Sequence, residues 1–362
     1  MKLEDLGYNT FFESNCNKLK LDGFSIARVT SEFKGAYKVK NTDGEFLAKI
    51  TGKQIFKAST REDYPAVGDW VIISEIDKER AVIHSVLPRL TIIKRRYGDK
   101  NKAGEKNETQ IIATNIDVAF VVESVDRDYN LNRFERYFAI AEDGGVNPAI
   151  ILNKIDLHSK EELDEKINQL RNRFPNIDII LTSTLNNDGL DKLRKYITEG
   201  KTYCFLGSSG VGKSSLINKL IGENIIKTGD VSSYSGRGKH VTTGRQMYFL
   251  KNGGIVIDNP GMREVGMTDT SKGIDVFFDE ITDLAQKCKY TDCTHTHEPG
   301  CEVIKYVKSG KLDEEKYSNY ISLKKEAEYY EMNDIEKKEK DRQFGKFMNR
   351  AKKDLKRFGY KN

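Results

Sequence analysis

No apolar run in this 362-residue chain approaches the ~20 residues a helix needs to cross a bilayer. The opening stretch, MKLEDLGYNTFFESN, carries acids and has no continuous apolar core, so no secretory leader is expected. Cysteine is scarce: there are five in all, three of them (Cys288, Cys293, Cys301) within fourteen residues. So few thiols and no leader argue against a disulfide framework, and the clustering argues for a metal. Hydrophobic residues make up only 38% and charged ones 32%, the balance of a soluble chain with much polar surface. No internal repeat is visible at periods of about 20–50 residues. A secreted, membrane-spanning, collagen-like or wholly disordered protein is therefore not expected, and a cytoplasmic one is. At roughly 100–200 residues per domain, the length fits two or three domains.

Acids are nearly missing from one place. From Arg342 to Asn362 there are eight basic residues and a single acid, Asp354, for a local charge of +7, whereas the whole chain carries only +5. A basic tail on a slightly acidic body points to a polyanionic partner, nucleic acid more readily than membrane. The tail's apolar residues, Phe344, Phe347, Leu355 and Phe358, are too few for strong membrane insertion. Lys346, Arg350, Lys353 and Arg357 are spaced so that a helix would carry them on one face.

Between residues 20 and 95 the segments FSIARVT, AYKVKN, EFLAKIT, DWVIIS and RAVIHSVL read as short strands, with NTDG (41–44) as a hairpin turn. This pattern predicts a small barrel, and a five-stranded barrel of the oligonucleotide-binding type fits it. The polar stretch 95–109 reads as a linker. Strands and helices then alternate from IDVAFVV (116–122) to GIVID (254–258), the signature of an α/β layer with a mainly parallel sheet and flanking helices. After Gly273 the chain turns helical. Cys204 falls in the apolar strand TYCFL and reads as core.

Five segments carry chemistry. Residues Gly207, Ser208, Ser209, Gly210, Val211, Gly212, Lys213 and Ser214, followed by Ser215, match G-x-x-x-x-G-K-[ST] between an apolar strand and a helical continuation. Such a loop wraps phosphates with backbone N–H groups at a helix N-terminus; Lys213 would reach the β- and γ-phosphates and Ser214 a Mg²⁺ ion. Asn153, Lys154, Ile155 and Asp156 form NKID after the strand PAIIL. A carboxylate at 156 can accept from guanine N1–H and the 2-amino group together, whereas adenine would leave it unpaired. Asn153 would meet the opposite edge of the base or a neighbouring loop, and the stem of Lys154 would cover the base plane. Thr182, Ser183 and Thr184 resemble the loop that buttresses guanine. Asp258-Asn-Pro-Gly261 resembles the D-x-x-G segment that senses Mg²⁺ and the γ-phosphate. The base motif here precedes the phosphate loop by 54 residues, the reverse of the usual order. That is the order of a circularly permuted GTPase. Last, Cys288, Cys293, His295 and Cys301 offer three thiolates and an imidazole, a closed structural zinc site, with His297 as a competing ligand.

With these motifs the whole chain resembles the ribosome small subunit-dependent GTPase A family (RsgA, also called YjeQ). The resemblance implies a barrel and linker over 1–105, a permuted GTPase domain over 106–270 and a helical zinc-binding domain with basic tail over 271–362. It implies GTP hydrolysis stimulated by the small (30S) ribosomal subunit and its rRNA, late in that subunit's maturation, by a protein read as a monomer. It favours His295 over His297 as the zinc ligand. It also places switch I at 229–244, with His240 as the water-orienting residue and Thr242 or Thr243 on Mg²⁺; the family's first threonine is Val241 here. Met262 follows Gly261 where Ras-like enzymes use glutamine, so slow unaided turnover is expected. The alternative is a GTP-dependent RNA-binding switch with a negligible catalytic role.

Overall fold

A computed structural model describes residues 1–18, 23–33, 35–97, 108–126, 129–226, 245–259, 271–332 and parts of 335–348. His240, Thr242, Thr243, Gly261 and Met262 lie outside the described residues, as do Arg350, Lys353 and Arg357 of the tail. The chain divides into two compact units, 1–266 and 267–362.

The first unit begins with α1 (Thr10–Cys16), capped by the Asn9 side chain, which accepts from Phe11 N. Five strands follow: β1 (Ser25–Phe33), β2 (Ala36–Lys40), β3 (Glu45–Ile50), β4 (Trp70–Glu75) and β5 (Arg80–Val86). Pairing runs β1-β2-β3-β5-β4 and closes from β4 back onto β1, so the sheet is a barrel with no free edge. β3 and β5 pair in parallel, with α2 (Gly52–Lys57) in the connection after β3. The two-residue period is plain in β3, where Phe46 and Ala48 are buried while Glu45, Leu47 and Lys49 are exposed. Val29, Val39, Phe46, Ile73 and Ile83 fill the barrel. Leu6, Phe12 and Trp70 close a second cluster beneath α1. At 41–44, Asn41 Oδ1 accepts from the N–H groups of Asp43 and Gly44, which sets the β2–β3 hairpin.

The ends of the expected linker are in fact paired. β6 (Ile92–Tyr97) and β7 (Glu108–Thr114) form an antiparallel hairpin, with Arg95 Nε donating to Gln110 Oε1 and Lys94 bridging to Glu62 at 2.7 Å. The buried residues that anchor these strands, Ile93, Ile111, Ile112 and Ala113, lie outside 95–109, whose own residues are mostly polar. This is why the stretch reads as a linker.

The α/β layer contains β8 (Val118–Ser124), α3 (Leu131–Asp143), β9 (Asn147–Asn153), α4 (Lys160–Arg173), β10 (Ile179–Thr182), α5 (Leu190–Tyr196), β11 (Thr202–Leu206), α6 (Lys213–Ile221), β12 (Gln246–Phe249) and β13 (Ile255–Asp258). Strand order is β10-β9-β8-β11-β13, all parallel, with β12 antiparallel on β13. β11 is buried throughout, as strands covered on both faces must be. β12 also meets barrel strand β1, Ser31 lying opposite Gln246.

The second unit packs α7 (Ser271–Phe277), α8 (Asp279–Ala285), α9 (Glu302–Lys308) and α10 (Glu314–Glu331), with Phe278 against Tyr320 at its centre. Among the described residues no helix is long and apolar enough to cross a membrane.

Candidate functional site

In an open parallel sheet, loops at the carboxyl ends of the strands line the binding crevice. The sequence motifs fall at those ends. Asn153 closes β9, Thr182 closes β10 directly opposite it, Gly207 follows β11 and Asp258 ends β13.

Asn153 is fully buried and joins two loops. Its Nδ2 donates to the Val211 carbonyl at 2.8 Å, and its Oδ1 accepts from Thr182 Oγ1 at 3.0 Å. Of the two expectations for this side chain, the structure shows the neighbouring loop. Gly212 has φ 100°, and a Cβ there would collide with Asn153 Nδ2; a Cβ at Gly207 would collide with the Val122 carbonyl. The glycines are thus required by close packing as well as by backbone angle.

Lys154 adopts φ 61°, and its Nζ lies 3.2 Å from Asp126 Oδ2. Asp156 accepts a hydrogen bond from Ser183 Oγ. That same oxygen accepts from the N–H groups of Leu185 and Asn186, both at 3.2 Å. The carboxylate is therefore fixed in direction, and with about four lone-pair sites it retains acceptor capacity for a base edge. Thr184 is half-buried beside Ser183.

Lys213 begins α6 and is buried. Its Nζ donates to the carbonyls of Gly207 at 2.7 Å and Ser208 at 2.6 Å. Burial pushes its pKa down to about 8, opposed by the charges of Asp258 and Glu123. Burial likewise pushes Asp258 up to about 6, opposed by Lys213 and by a hydrogen bond from the Asn259 backbone. Asp258 Oδ1 is buried with no hydrogen-bond partner among the described residues, a state that a bound ligand would relieve. Ser214 and Ser215 are half-buried, whereas Ser209 and Gly210 are exposed on the loop.

Asp258 carries a stability cost. Its folded pKa lies above the ordinary 3.8, so its contribution is fully present below pH ~4 and is lost as pH rises through about 6. Asp258→Asn removes that penalty. Without nucleotide, the variant should be more stable than the native chain by roughly 1–3 kcal/mol at pH 8, with the gap closing below pH ~4. Chemical denaturation at both pH values checks this, and an equal or lower stability at pH 8 contradicts it.

In the second unit, the ligand atoms of Cys288, Cys293, His295 and Cys301 all lie within 4.8 Å of one another. The Sγ atoms of Cys288 and Cys301 are 3.8 Å apart, and His295 Nδ1 is 3.6 and 3.5 Å from them. A tetrahedral ion with metal–sulfur bonds of about 2.3 Å sets its sulfurs about 3.8 Å apart. The donor set and its spacing can hold a metal such as zinc. His295 sits at φ 59° with its carbonyl accepting from Tyr317 Oη of α10. His297 is exposed, its Nδ1 against Thr296 Oγ1, and is not in the cluster.

Sequence reasoning missed Asp126, which holds Lys154, and Tyr137 of α3, which is hydrogen-bonded to Ser208. A carboxylate two residues beyond a parallel strand's end was the available signal for Asp126. Nothing in the sequence marked Tyr137.

Residues 86–268 match the family model described as RsgA GTPase, and residues 202–342 one described as 50S ribosome-binding GTPase. A Bacteroides thetaiotaomicron protein described as small ribosomal subunit biogenesis GTPase RsgA 1 is 36% identical over 347 residues, 95% of this chain and 94% of its own. A Methanosarcina acetivorans protein described as small ribosomal subunit biogenesis GTPase RsgA is 42% identical over 267 residues, 73% of this chain and 70% of its own. Among solved structures, YjeQ from Thermotoga maritima superimposes with a TM-score of 0.61 at 25% identity, covering 84% of this chain and 98% of its own. YloQ, described as a circularly permuted GTPase, gives 0.59 at 21% identity, a likeness of fold, over 86% of this chain and 97% of its own.

Proposed function

The chain belongs to the RsgA GTPase family, and we propose that it hydrolyses GTP to GDP and phosphate, faster on the small (30S) ribosomal subunit, during late maturation of that subunit. The observation that carries the nucleotide reading is the junction at Asn153, which locks the base-reading loop to the phosphate loop at one sheet edge.

In this reading the backbone N–H groups of residues 207–215 cradle the phosphates. Lys213 Nζ exchanges its two loop carbonyls for β- and γ-phosphate oxygens. Asp156 accepts from guanine N1–H and the 2-amino group, with Ser183 and Thr184 holding that loop and Lys154 covering the base. Magnesium, when bound, would neutralise charge on the β- and γ-phosphate oxygens; Ser214 and Thr242 or Thr243 would hold it, and Asp258 and Gly261 would serve the same phosphate site. We assign the orientation of the attacking water to His240. The barrel and linker (1–105), the nucleotide domain (106–270) and the zinc-binding helices with their basic tail (271–362) divide the work between rRNA and nucleotide. We place the protein in the cytoplasm as a monomer. Met262, where a water-orienting glutamine could stand, supports the second reading, a GTP-dependent RNA-binding switch.

Displacement of a fluorescent GDP analogue tests the nucleotide assignment. GTP and GDP should displace it at concentrations where ATP does not; equal displacement by ATP overturns it. The zinc assignment has its own test. Cys293→Ser should drop bound zinc from one per chain towards none and make the second unit protease-sensitive, because the ion would tie together the 288–301 segment between α8 and α9. Full zinc occupancy in that variant would mean the ligands are others.

A further inference from the structure

One rank of residues crosses from the barrel to the nucleotide site. Ser31 of β1 lies opposite Gln246 of β12, and Gln246 lies opposite Asp258 of β13. Beside that rank, Arg245 ties three segments together. Its carbonyl accepts from Ser31 Oγ at 3.2 Å, and its guanidinium donates to the Ile111 carbonyl of β7 at 2.8 Å and lies 3.6 Å from Glu32 Oε2. The Arg245 side chain is only 14% exposed. A guanidinium so far from water needs its partners, so it holds the start of β12 in place. Arg245 also directly follows 227–244, the stretch that contains His240, Thr242 and Thr243.

Neither fold requires this link. The barrel closes through β1–β2 and β1–β4, and β12 is secured to β13 along all four of its residues. What the link fixes is the height of barrel strand β1 against the β12–β13 pair, at the level of Asp258. There Asp258 Oδ1 has no hydrogen-bond partner among the described residues, and the hydrogen bond that the carboxylate accepts comes from the adjacent Asn259 backbone, so the backbone sets its position. Packed elements shift as bodies rather than deform, so a displacement of β1 reaches Asp258.

We propose that Arg245 is a positioning residue through which engagement of the barrel by ribosomal RNA is transmitted to Asp258 and so to GTP hydrolysis. The inference rests on the ribosome-stimulated reading above and adds to it a route and the residue that carries it.

The test is steady-state GTP hydrolysis by the full chain, with and without 30S subunits, together with subunit binding measured by co-sedimentation. Arg245→Gln should lower kcat on saturating subunits about tenfold, the upper range for couplings altered by one side chain. Its subunit-free kcat and its affinity for the subunit should stay within about twofold, because the residue touches neither ligand. Arg245→Lys should restore much of the stimulation by keeping the charge opposite Glu32. Glu32→Gln should give a smaller loss in the same direction, and it decides the matter if Arg245→Gln does not fold. Full stimulation of both Arg245→Gln and Glu32→Gln overturns the inference, as does a loss accounted for by weaker subunit binding. A native protein that 30S subunits do not stimulate overturns the ribosome reading itself, a result visible before any variant is made.

Discussion

Lys213→Ala should weaken GTP binding by at least about a hundredfold, the scale of losing a charged donor from a preorganised anion site. The ammonium is buried and held by two carbonyls of the loop it must serve. In the free protein that position costs solvation, which is why its pKa falls to about 8. A triphosphate replaces two neutral acceptors with anionic ones, so binding favours the charged lysine and draws it forward. The same shift sets a pH dependence. Affinity should decline as pH rises through about 8, where the free protein loses the proton that binding requires, and Lys213→Ala should lose that slope. Titration with a fluorescent GTP analogue at pH 7 and 9 measures both effects, with a thermal melt as the check on folding. Unchanged affinity in the variant would remove the phosphate-loop assignment.

Asp156→Asn should reverse the base preference, from guanine to xanthine nucleotides, by about two orders of magnitude in the ratio of affinities. A site built to pair a polar edge rejects by such factors the analogue that leaves it unpaired. The carboxylate accepts from N1–H and the 2-amino group of guanine. An amide at the same place still accepts from N1–H but turns a donor towards position 2, where xanthine carries an oxygen. Ser183 Oγ, itself fixed by the N–H groups of Leu185 and Asn186, aims the side chain, so the swap changes chemistry more than geometry. Competition of GTP against XTP for the variant decides it, and retained guanine selectivity contradicts the base-reading role.

The barrel was legible where burial and alternation agree, as at Ala36–Lys40 and Glu45–Ile50. The loop between β11 and α6 and the Cys/His cluster were legible because their residues are contiguous or nearly so. The contacts that make a site of them were not. Asn153 meets Val211 and Thr182, 58 and 29 residues away, and one partner is a backbone carbonyl that leaves no trace in a side-chain pattern. Arg28 shows the same limit. It is buried in β1 beside Trp70 and donates to the carbonyls of Leu6, Gly68 and Asn115, so a fully buried charge has partners that no motif could name. The β6–β7 hairpin was hidden for a related reason, since the buried residues that anchor it, Ile93, Ile111, Ile112 and Ala113, lie outside the polar stretch it encloses. The rank from Ser31 to Asp258 depends on strand register, which is set by the assembled sheet.

The most direct measurement is GTP hydrolysis by the purified protein, alone and with 30S subunits, with ATP as the control. Slow turnover alone, strong acceleration by 30S subunits and no ATP hydrolysis are the expected results, with the subunit supplying the organisation that Met262 cannot. Tight GTP binding with no acceleration by 30S subunits would contradict a ribosome-activated GTPase and leave a nucleotide-dependent RNA switch in its place.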